Sequence, residues 1–255
     1  MSGIYDEPWA YELACGFRDI PSEVDVLLGW YERHRGGRPS SVLELAAGPA
    51  EHSREFARRG IPATALDLNA AMCAYAAEQA AGLPVEVVHA DMTDFELGRR
   101  FDLVVTMLDS TAHLMTLDAF VAHLDRAAAH LADGGLYVLE MSHPADRLTD
   151  AKRSTTSWPF KTGPLTGTVI WGEPDDLMDP ITQITDDHVT ITVTQDGVTR
   201  VISGVVPYRF WTATEVTAAV RLSGALRIVR QYGDFASVEI TDPEAWRMIT
   251  IFQPS

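Results

Sequence analysis

The sequence predicts an α/β fold: a doubly covered, mostly parallel sheet with an antiparallel β insertion near the C-terminal third. Three observations carry this expectation. From Ser41 to Met141, short β-rich runs alternate with stretches of helical periodicity. After Met141 the alternation gives way to segments punctuated by Pro144, Pro159, Pro164, Pro174, Pro180 and Pro207. A chain of 255 residues is long for one domain and short for two, which fits a single α/β domain carrying an insertion.

The candidate strands of the first half are SVLELA (41–46), ATALDL (63–68), VEVVHA (85–90), FDLVVTM (101–107) and GLYVLEM (135–141). Between them, EHSREFARRG, NAAMCAYAAEQAAG and TLDAFVAHLDRAAAHLADGG place apolar residues at helical spacing. Gly60, Gly82 and Gly134 follow these periodic runs, where a left-handed helix cap is expected. In residues 142–211, GTVIWG, HVTITVTQDG and TRVISGVV alternate as antiparallel strands do, with a hairpin expected at Asp196-Gly197. This stretch holds too few apolar residues for a core of its own and is expected to cover one edge of the sheet. TATEVTAAVRLSG then reads as a helix capped by Thr212 or Thr214, followed by two strands, ALRIVRQYG and WRMITIFQ, paired at the sheet edge.

Composition narrows the function. Apolar residues make up 46% and charged residues 22%, which excludes a wholly disordered, collagen-like or disulfide-scaffold chain. A net charge of −16 disfavours nucleic acid and anionic membranes as partners. Cys15 and Cys73 lack metal-ligand spacing and are expected as free thiols in a reducing compartment. MSGIYDEPWAYEL carries acids and aromatics where a secretory signal needs a basic start, so a cytoplasmic location is expected.

The motif with most chemical content is VLELAAGPAEHSREFA followed by ALDLN. A buried strand ending at Leu45 runs into the small-residue turn Ala46-Ala47-Gly48 and then a helix opening near Glu51 or His52, so a ligand can approach the backbone. Asp67 lies nineteen residues past Gly48 at the end of the next strand, where a carboxylate can accept both hydroxyls of a ribose. The turn lacks the glycine cradle that a pyrophosphate requires, with Ala50 and Ser53 at the later positions, and Glu44 adds negative charge. A nicotinamide dinucleotide is therefore disfavoured. S-adenosyl-L-methionine, with a ribose diol and positive charge but no phosphate, fits these groups.

At these residues the chain resembles class I S-adenosylmethionine-dependent methyltransferases, which have a Rossmann-like fold. LELAAGPAEHS resembles the family's first motif, with Ala50 at the usual second glycine; ALDLN supplies the ribose acid, and HADMTDF resembles the segment after the third strand. FDLVVTMLDSTAHL resembles the fourth-strand motif, LADGGLYVLE the fifth, and the terminal strand pair the reversed seventh strand. His52, DFELGRRFD, S-T-A-H-L and YRFWT resemble, more narrowly, bacterial N-methyltransferases that dimethylate nucleotide-linked amino sugars. The 142–200 region matches poorly.

The resemblance implies donor contacts from Glu44, Ala46, Ala47, Gly48, His52, Asp67, Leu68, Met72 and Leu108, with Asp91 at the adenine amino group and the Met92 amide at its ring. His113 lies four residues past Asp109 beyond the fourth strand, where α/β folds bind ligands; it reads as an acceptor-binding or proton-accepting residue, or as a packed loop histidine. Asp109 orients an amine or caps a turn. Tyr11, in a Y-E pair similar to the family's Y-D, closes over the donor or packs in an amphipathic helix. His143, Tyr208, Arg209 and Trp211 are the remaining acceptor-side candidates, with loop or strand packing as the competing role.

The expected organisation is a helical lid (1–40), a donor-binding core (41–141), an insertion on the acceptor side (142–211) and a closing helix and strand pair (212–255). The expected activity is transfer of a methyl group to a small molecule of secondary metabolism, an amine first, leaving S-adenosyl-L-homocysteine and using no metal. A homodimer is left open. The alternatives are a small-molecule O-methyltransferase, a peptide or protein N-methyltransferase and a non-catalytic donor-binding protein.

Overall fold

The structure, a computed structural model, describes residues 3–145 and 155–255, so residues 146–154 of the expected insertion lie outside the described residues. Its strands are β1 (Val42–Leu45), β2 (Ala63–Asp67), β3 (Val85–His89), β4 (Phe101–Thr106), β5 (Leu131–Ser142) and β6 (Thr156–Thr162). They continue as β7 (Leu165–Trp171), β8 (Ile184–Gln195), β9 (Val198–Arg209), β10 (Leu226–Tyr232) and β11 (Arg247–Pro254). The helices are α1 (Pro8–Ala14), α2 (Ile20–Arg35), α3 (Glu51–Arg58), α4 (Ala70–Gln79), α5 (Leu117–Ala129) and α6 (Ala213–Ser223).

The main sheet has seven strands in the order β10-β11-β5-β4-β1-β2-β3, and only β11 runs antiparallel to its neighbours on both sides. Strand alternation sorts its side chains into two cores. Leu43, Leu45, Val104, Tyr137 and Leu139 pack with Phe120 and Leu124 of α5 and Val216 and Ala219 of α6. Val42, Leu103, Val105, Leu136 and Val138 pack with Val24, Leu27 and Trp30 of α2 and Phe56 of α3. Thr212 caps α6 through a reciprocal bond pair with Glu215.

The second sheet has four antiparallel strands in the order β6-β7-β8-β9. Asp196 and Gly197, at φ of 50° and 77°, form the two-residue turn between β8 and β9, as the sequence predicts. The inner face of this sheet, with Val169, Val189, Ile191 and Val206, shares a core with Ile4, Ala10 and Ala14 from the N-terminal segment. The insertion thus gains the apolar partners it lacks from α1 and the turn before it. β9 in turn borders the carboxyl ends of β4 and β5, where Tyr208 bonds Ser142 at 3.0 Å between hydroxyls.

One expectation is corrected. Gly134 does not cap a helix. α5 ends at Ala129, where the His130 Nδ1 donates to the Arg126 carbonyl at 2.8 Å while the His130 carbonyl accepts from Phe101 at 2.7 Å. The ladder therefore begins at Leu131, and the register jumps from Phe101↔Leu131 to Leu103↔Leu136 across a bulge holding Gly134 at φ 73°. The Arg35 guanidinium lies against this glycine, 2.0 Å from where a Cβ would sit.

The hairpin gives a test of backbone strain alone. No atom lies within 4 Å of a Cβ added at Gly197. Gly197→Val is expected to destabilise the protein by about 1–2 kcal/mol, the cost of a left-handed L-residue, in urea unfolding; a change within a few tenths would contradict the assigned turn.

Candidate active site

At the carboxyl edge of the main sheet lies a cavity of about 600 Å³ whose walls come from the ends of β1, β2 and β4, from α4 and α5, and from the N-terminal segment. The loop after β1 builds its floor. Ala46, Gly48 and Ala50 all take positive φ, at 52°, 52° and 59°, so the chain turns sharply before α3. Gly48 donates its amide to one Asp67 carboxylate oxygen at 2.7 Å, and Asn69 donates its own to the other at 2.8 Å. Burial raises the Asp67 pKa, and these two amide bonds oppose the rise. Asn69 then caps α4 by accepting from Ala71 and Met72.

Of the sequence-derived donor residues, Ala46, Gly48, Asp67, Leu68, Met72, Asp91 and Met92 line this cavity, as do Tyr11 and His113. No lysine or arginine lines it among the described residues. The apolar wall and the two carboxylates suit a cationic nucleoside and not a phosphate.

His113 ends a 3-10 turn, Ser110–His113, beyond β4. Its Nε2 lies 3.1 Å from the Tyr5 hydroxyl, and the two rings meet edge to face with centroids 5.5 Å apart. Tyr5 in turn lies against Tyr11, with centroids at 5.3 Å. Loss of surrounding water lowers the His113 pKa, against a hydrogen bond with the Pro207 backbone, so the ring is neutral at pH 7. Burial raises the pKa of the Tyr5 hydroxyl, which stays protonated.

The structure separates the other candidates from the large cavity. Glu44, Ala47, His52 and Leu108 line a smaller chamber of about 50 Å³ beside it, which shares Tyr11, Ala46, Gly48 and Ser110 with the main cavity. Glu44 accepts from the Ser53 amide at 2.8 Å and its hydroxyl at 2.5 Å, fixing the start of α3. His52 lies between Glu23 at 2.8 Å and Glu44 at 3.3 Å. Burial lowers the pKa of that imidazole, but the two carboxylates prevail and raise it to about 9.

Asp109, outside the cavity lining, is half-buried in left-handed backbone at φ 58°, hydrogen-bonded with Ser142, and loss of surrounding water raises its carboxyl to about 7. His143 accepts from the Ala145 amide through Nδ1 and donates through Nε2 to the Ile240 carbonyl, which turns it away from the cavity. Trp211 is a core residue, 2% exposed, packed on Phe120, with Nε1 donating to the Thr111 carbonyl at 3.1 Å. Arg209 stacks on Trp211 and donates to the Met115 carbonyl at 2.9 Å. These two brace the 110–116 segment from behind, and Tyr208 packs with Phe210 and Ala112. Tyr5, Asn69, Ser110, Leu114 and Thr116 line the cavity without having been singled out in the sequence; for Tyr5 the available signal is the aromatic run at the N-terminus.

Comparison with known proteins agrees with this geometry. Residues 42–135 match the family model described as a methyltransferase domain. The chain is 35% identical over 109 residues to dTDP-3-amino-3,4,6-trideoxy-alpha-D-glucopyranose N,N-dimethyltransferase of Streptomyces venezuelae, covering 42% of this chain and 45% of that protein. It is 36% identical over 124 residues to dTDP-3-amino-3,6-dideoxy-alpha-D-glucopyranose N,N-dimethyltransferase of Streptomyces fradiae, covering 48% and 47%. The chain thus aligns with about half the length of these curated relatives. Among solved structures, Streptomyces venezuelae DesVI superposes with a TM-score of 0.79 at 23% identity over 96% of this chain and 95% of that one. An amino pentose methyltransferase from Micromonospora echinaspora superposes at 0.74 with 21% identity, over 93% and 92%.

The ionic chamber yields a pH test. A histidine raised from an unfolded value of about 6.5 to about 9 in the fold contributes stability that is fully present below pH 6.5 and lost as pH rises through 9. Unfolding free energy is expected to fall across that window, and His52→Gln to flatten the fall; an unchanged slope in the variant would contradict the pairing. Residues 42–135 thus match a methyltransferase domain, and the chain has the same fold as a solved S-adenosylmethionine-dependent methyltransferase from Clostridium acetobutylicum, at a TM-score of 0.77 and 15% identity over 95% of this chain and 94% of that one.

Proposed function

We propose that this chain is a cytoplasmic S-adenosylmethionine-dependent N-methyltransferase of secondary metabolism, acting on the amine of a small molecule of the amino-sugar type. The observation that carries the reading is one cavity with a ribose-accepting carboxylate, Asp67, on its floor and a neutral imidazole, His113, at its mouth. The curated relatives, whose names specify N,N-dimethylation of dTDP-amino sugars, support the acceptor class.

The residues fit the donor on three counts. Asp67 uses one lone pair of each oxygen on the Gly48 and Asn69 amides and keeps acceptor capacity for two hydroxyls. Leu66, Leu68, Met72 and Met92 offer apolar contact for a purine. Cationic side chains, which would repel a sulfonium, are absent from the lining among the described residues. When bound, the donor supplies a methyl group on a sulfonium, an intrinsically good leaving group, so in-line placement of the acceptor lone pair provides most of the acceleration. Tyr5 and Tyr11 exclude water from the mouth. His113 Nε2 holds an amine N–H in place of the Tyr5 hydroxyl and orients the nitrogen lone pair away from itself.

Two outcomes test this. Asp67→Ala is expected to weaken S-adenosylhomocysteine binding by about 1.5–3 kcal/mol in calorimetry, with the fold retained; undiminished affinity would remove Asp67 from the donor site. With an amine acceptor, His113→Asn is expected to lower kcat/KM by less than about tenfold, spread over kcat and KM. A loss of about 10²–10⁴-fold that shrinks as pH rises would instead make His113 a general base and favour a hydroxyl acceptor.

A further inference from the structure

Behind the donor cavity the core holds a chain of polar groups that packing alone does not require. His123 of α5, Tyr137 of β5 and Thr106 of β4 are each fully buried. The His123 Nε2 lies 2.6 Å from the Tyr137 hydroxyl, which in turn lies 3.0 Å from the Thr106 hydroxyl. On its other side, the His123 Nδ1 lies 3.3 Å from the Met92 carbonyl. Burial lowers the imidazole to about 4, against the Met92 carbonyl and Asp91, so at pH 7 the ring is neutral and carries a single N–H. A carbonyl can only accept, so that N–H is on Nδ1, and Nε2 receives the hydrogen of the Tyr137 hydroxyl. One tautomer is thereby fixed and aimed at one backbone carbonyl.

Apolar side chains of similar shape would fill this core without polar atoms to satisfy. The use of the polar chain lies at its Met92 end. Met92 follows β3 and lines the donor cavity between Asp91 and Thr93. Asp91 Oδ1 accepts from the Thr93 amide and hydroxyl, both at 2.7 Å, and the Asp91 carbonyl accepts from the Asp94 amide at 3.1 Å. These bonds close the turn on itself, whereas the bond from His123 ties it to α5.

We propose that His123 is a positioning residue for the base of the methyl donor: by holding the Met92 carbonyl from the core, it sets the Asp91–Thr93 segment so that the cavity takes a 6-aminopurine and rejects a 6-oxopurine. The inference rests on the proposed donor. Asp91 lines the same cavity as the apolar purine wall of Leu66, Leu68, Met72 and Met92. A carboxylate with one oxygen engaged by Thr93 keeps further acceptor sites, which receive an exocyclic amine and repel an exocyclic oxygen. The discrimination depends on where that carboxylate stands, since a shift of about 1 Å takes a hydrogen bond out of range. His123 adjoins it through the next residue's carbonyl and touches no part of the cavity lining but that segment's backbone.

The test separates position from stability. S-adenosylhomocysteine and S-inosylhomocysteine differ in the base alone, 6-amino against 6-oxo. His123→Leu fills the site with an apolar side chain and removes the bond to Met92, while His123→Asn keeps an N–H donor near the Nδ1 position and leaves a gap beside Tyr137. Calorimetry on the whole chain is expected to show a wild-type preference for S-adenosylhomocysteine. His123→Leu should lower that preference about 3–10-fold through weaker S-adenosylhomocysteine binding, with S-inosylhomocysteine unchanged within about twofold. His123→Asn should keep the preference within about twofold in spite of a lower Tm. A packing role alone ranks the variants the other way, with the leucine tolerated and the preference intact. Absence of a preference in the wild type, equal weakening of both ligands by His123→Leu, or an unchanged preference in it would overturn the inference. Nitrogen-15 NMR of the wild type needs no variant: at pH 7 the His123 ring is expected to be protonated at Nδ1 and bare at Nε2, and the opposite tautomer would overturn the positioning role. Wild-type protein that binds neither nucleoside would overturn the donor assignment and this inference with it, an outcome distinct from one in which S-adenosylhomocysteine binds and His123→Leu leaves the preference untouched.

Discussion

The Asp67 carboxylate constrains everything around it. It ends β2 half-buried at the cavity floor, and the part of a carboxylate withdrawn from water there must be met by hydrogen-bond donors. The donors it finds are the Gly48 and Asn69 amides at 2.7 and 2.8 Å, so one side chain ties the loop after β1 to the loop after β2. To present the Gly48 amide, the first loop must fold tightly, and Ala46 and Ala50 accept left-handed backbone at about 1–3 kcal/mol each. Small side chains follow from that geometry. The cavity floor is thus backbone and methyl groups, with the free side of the carboxylate as its polar feature.

Two further acids, both buried, organise the side where the N-terminal segment meets the main sheet. Glu44 on β1 and Glu140 on β5 are, respectively, 3% and 0% exposed. Glu44 is met by Ser53 and His52, and Glu140 by Arg18 and Arg247. Because Arg18 lies in the connection between α1 and α2, neutralising a strand of the main sheet also positions the N-terminal segment. The apolar side of that segment belongs to the second sheet through Ile4, Ala10 and Ala14. The cavity is therefore closed by a helix held by charges on one side and by apolar packing on the other. Removing one charge from either buried cluster would leave its partners unpaired, which costs more than the pair contributes.

The parts legible in the sequence are those encoded by neighbouring residues. The end of β1 at Leu45, the helix start at Glu51, the acid ending β2 and the Asp196-Gly197 turn each follow from a local pattern of burial, small residues or turn chemistry. The start of β5 was not legible: periodicity carries the helix past Ala129, while a ladder bond to Phe101 and the His130 ring end it there. Contacts over long sequence separations were beyond reach altogether. Tyr5 meets His113 across 108 residues, Arg18 meets Glu140 across 122, and His143 is turned to Ile240 across 97. Trp211 and Arg209, adjacent to the substrate side in sequence, brace the His113 segment from behind, since their polar atoms reach its carbonyls.

The most direct measurement is a crystal structure of the protein with S-adenosylhomocysteine. Both ribose hydroxyls are expected on the Asp67 carboxylate, with the sulfur directed toward the side of the cavity where His113 and Tyr5 meet. A ligand seated elsewhere, or in this cavity with its ribose away from Asp67, would contradict this placement.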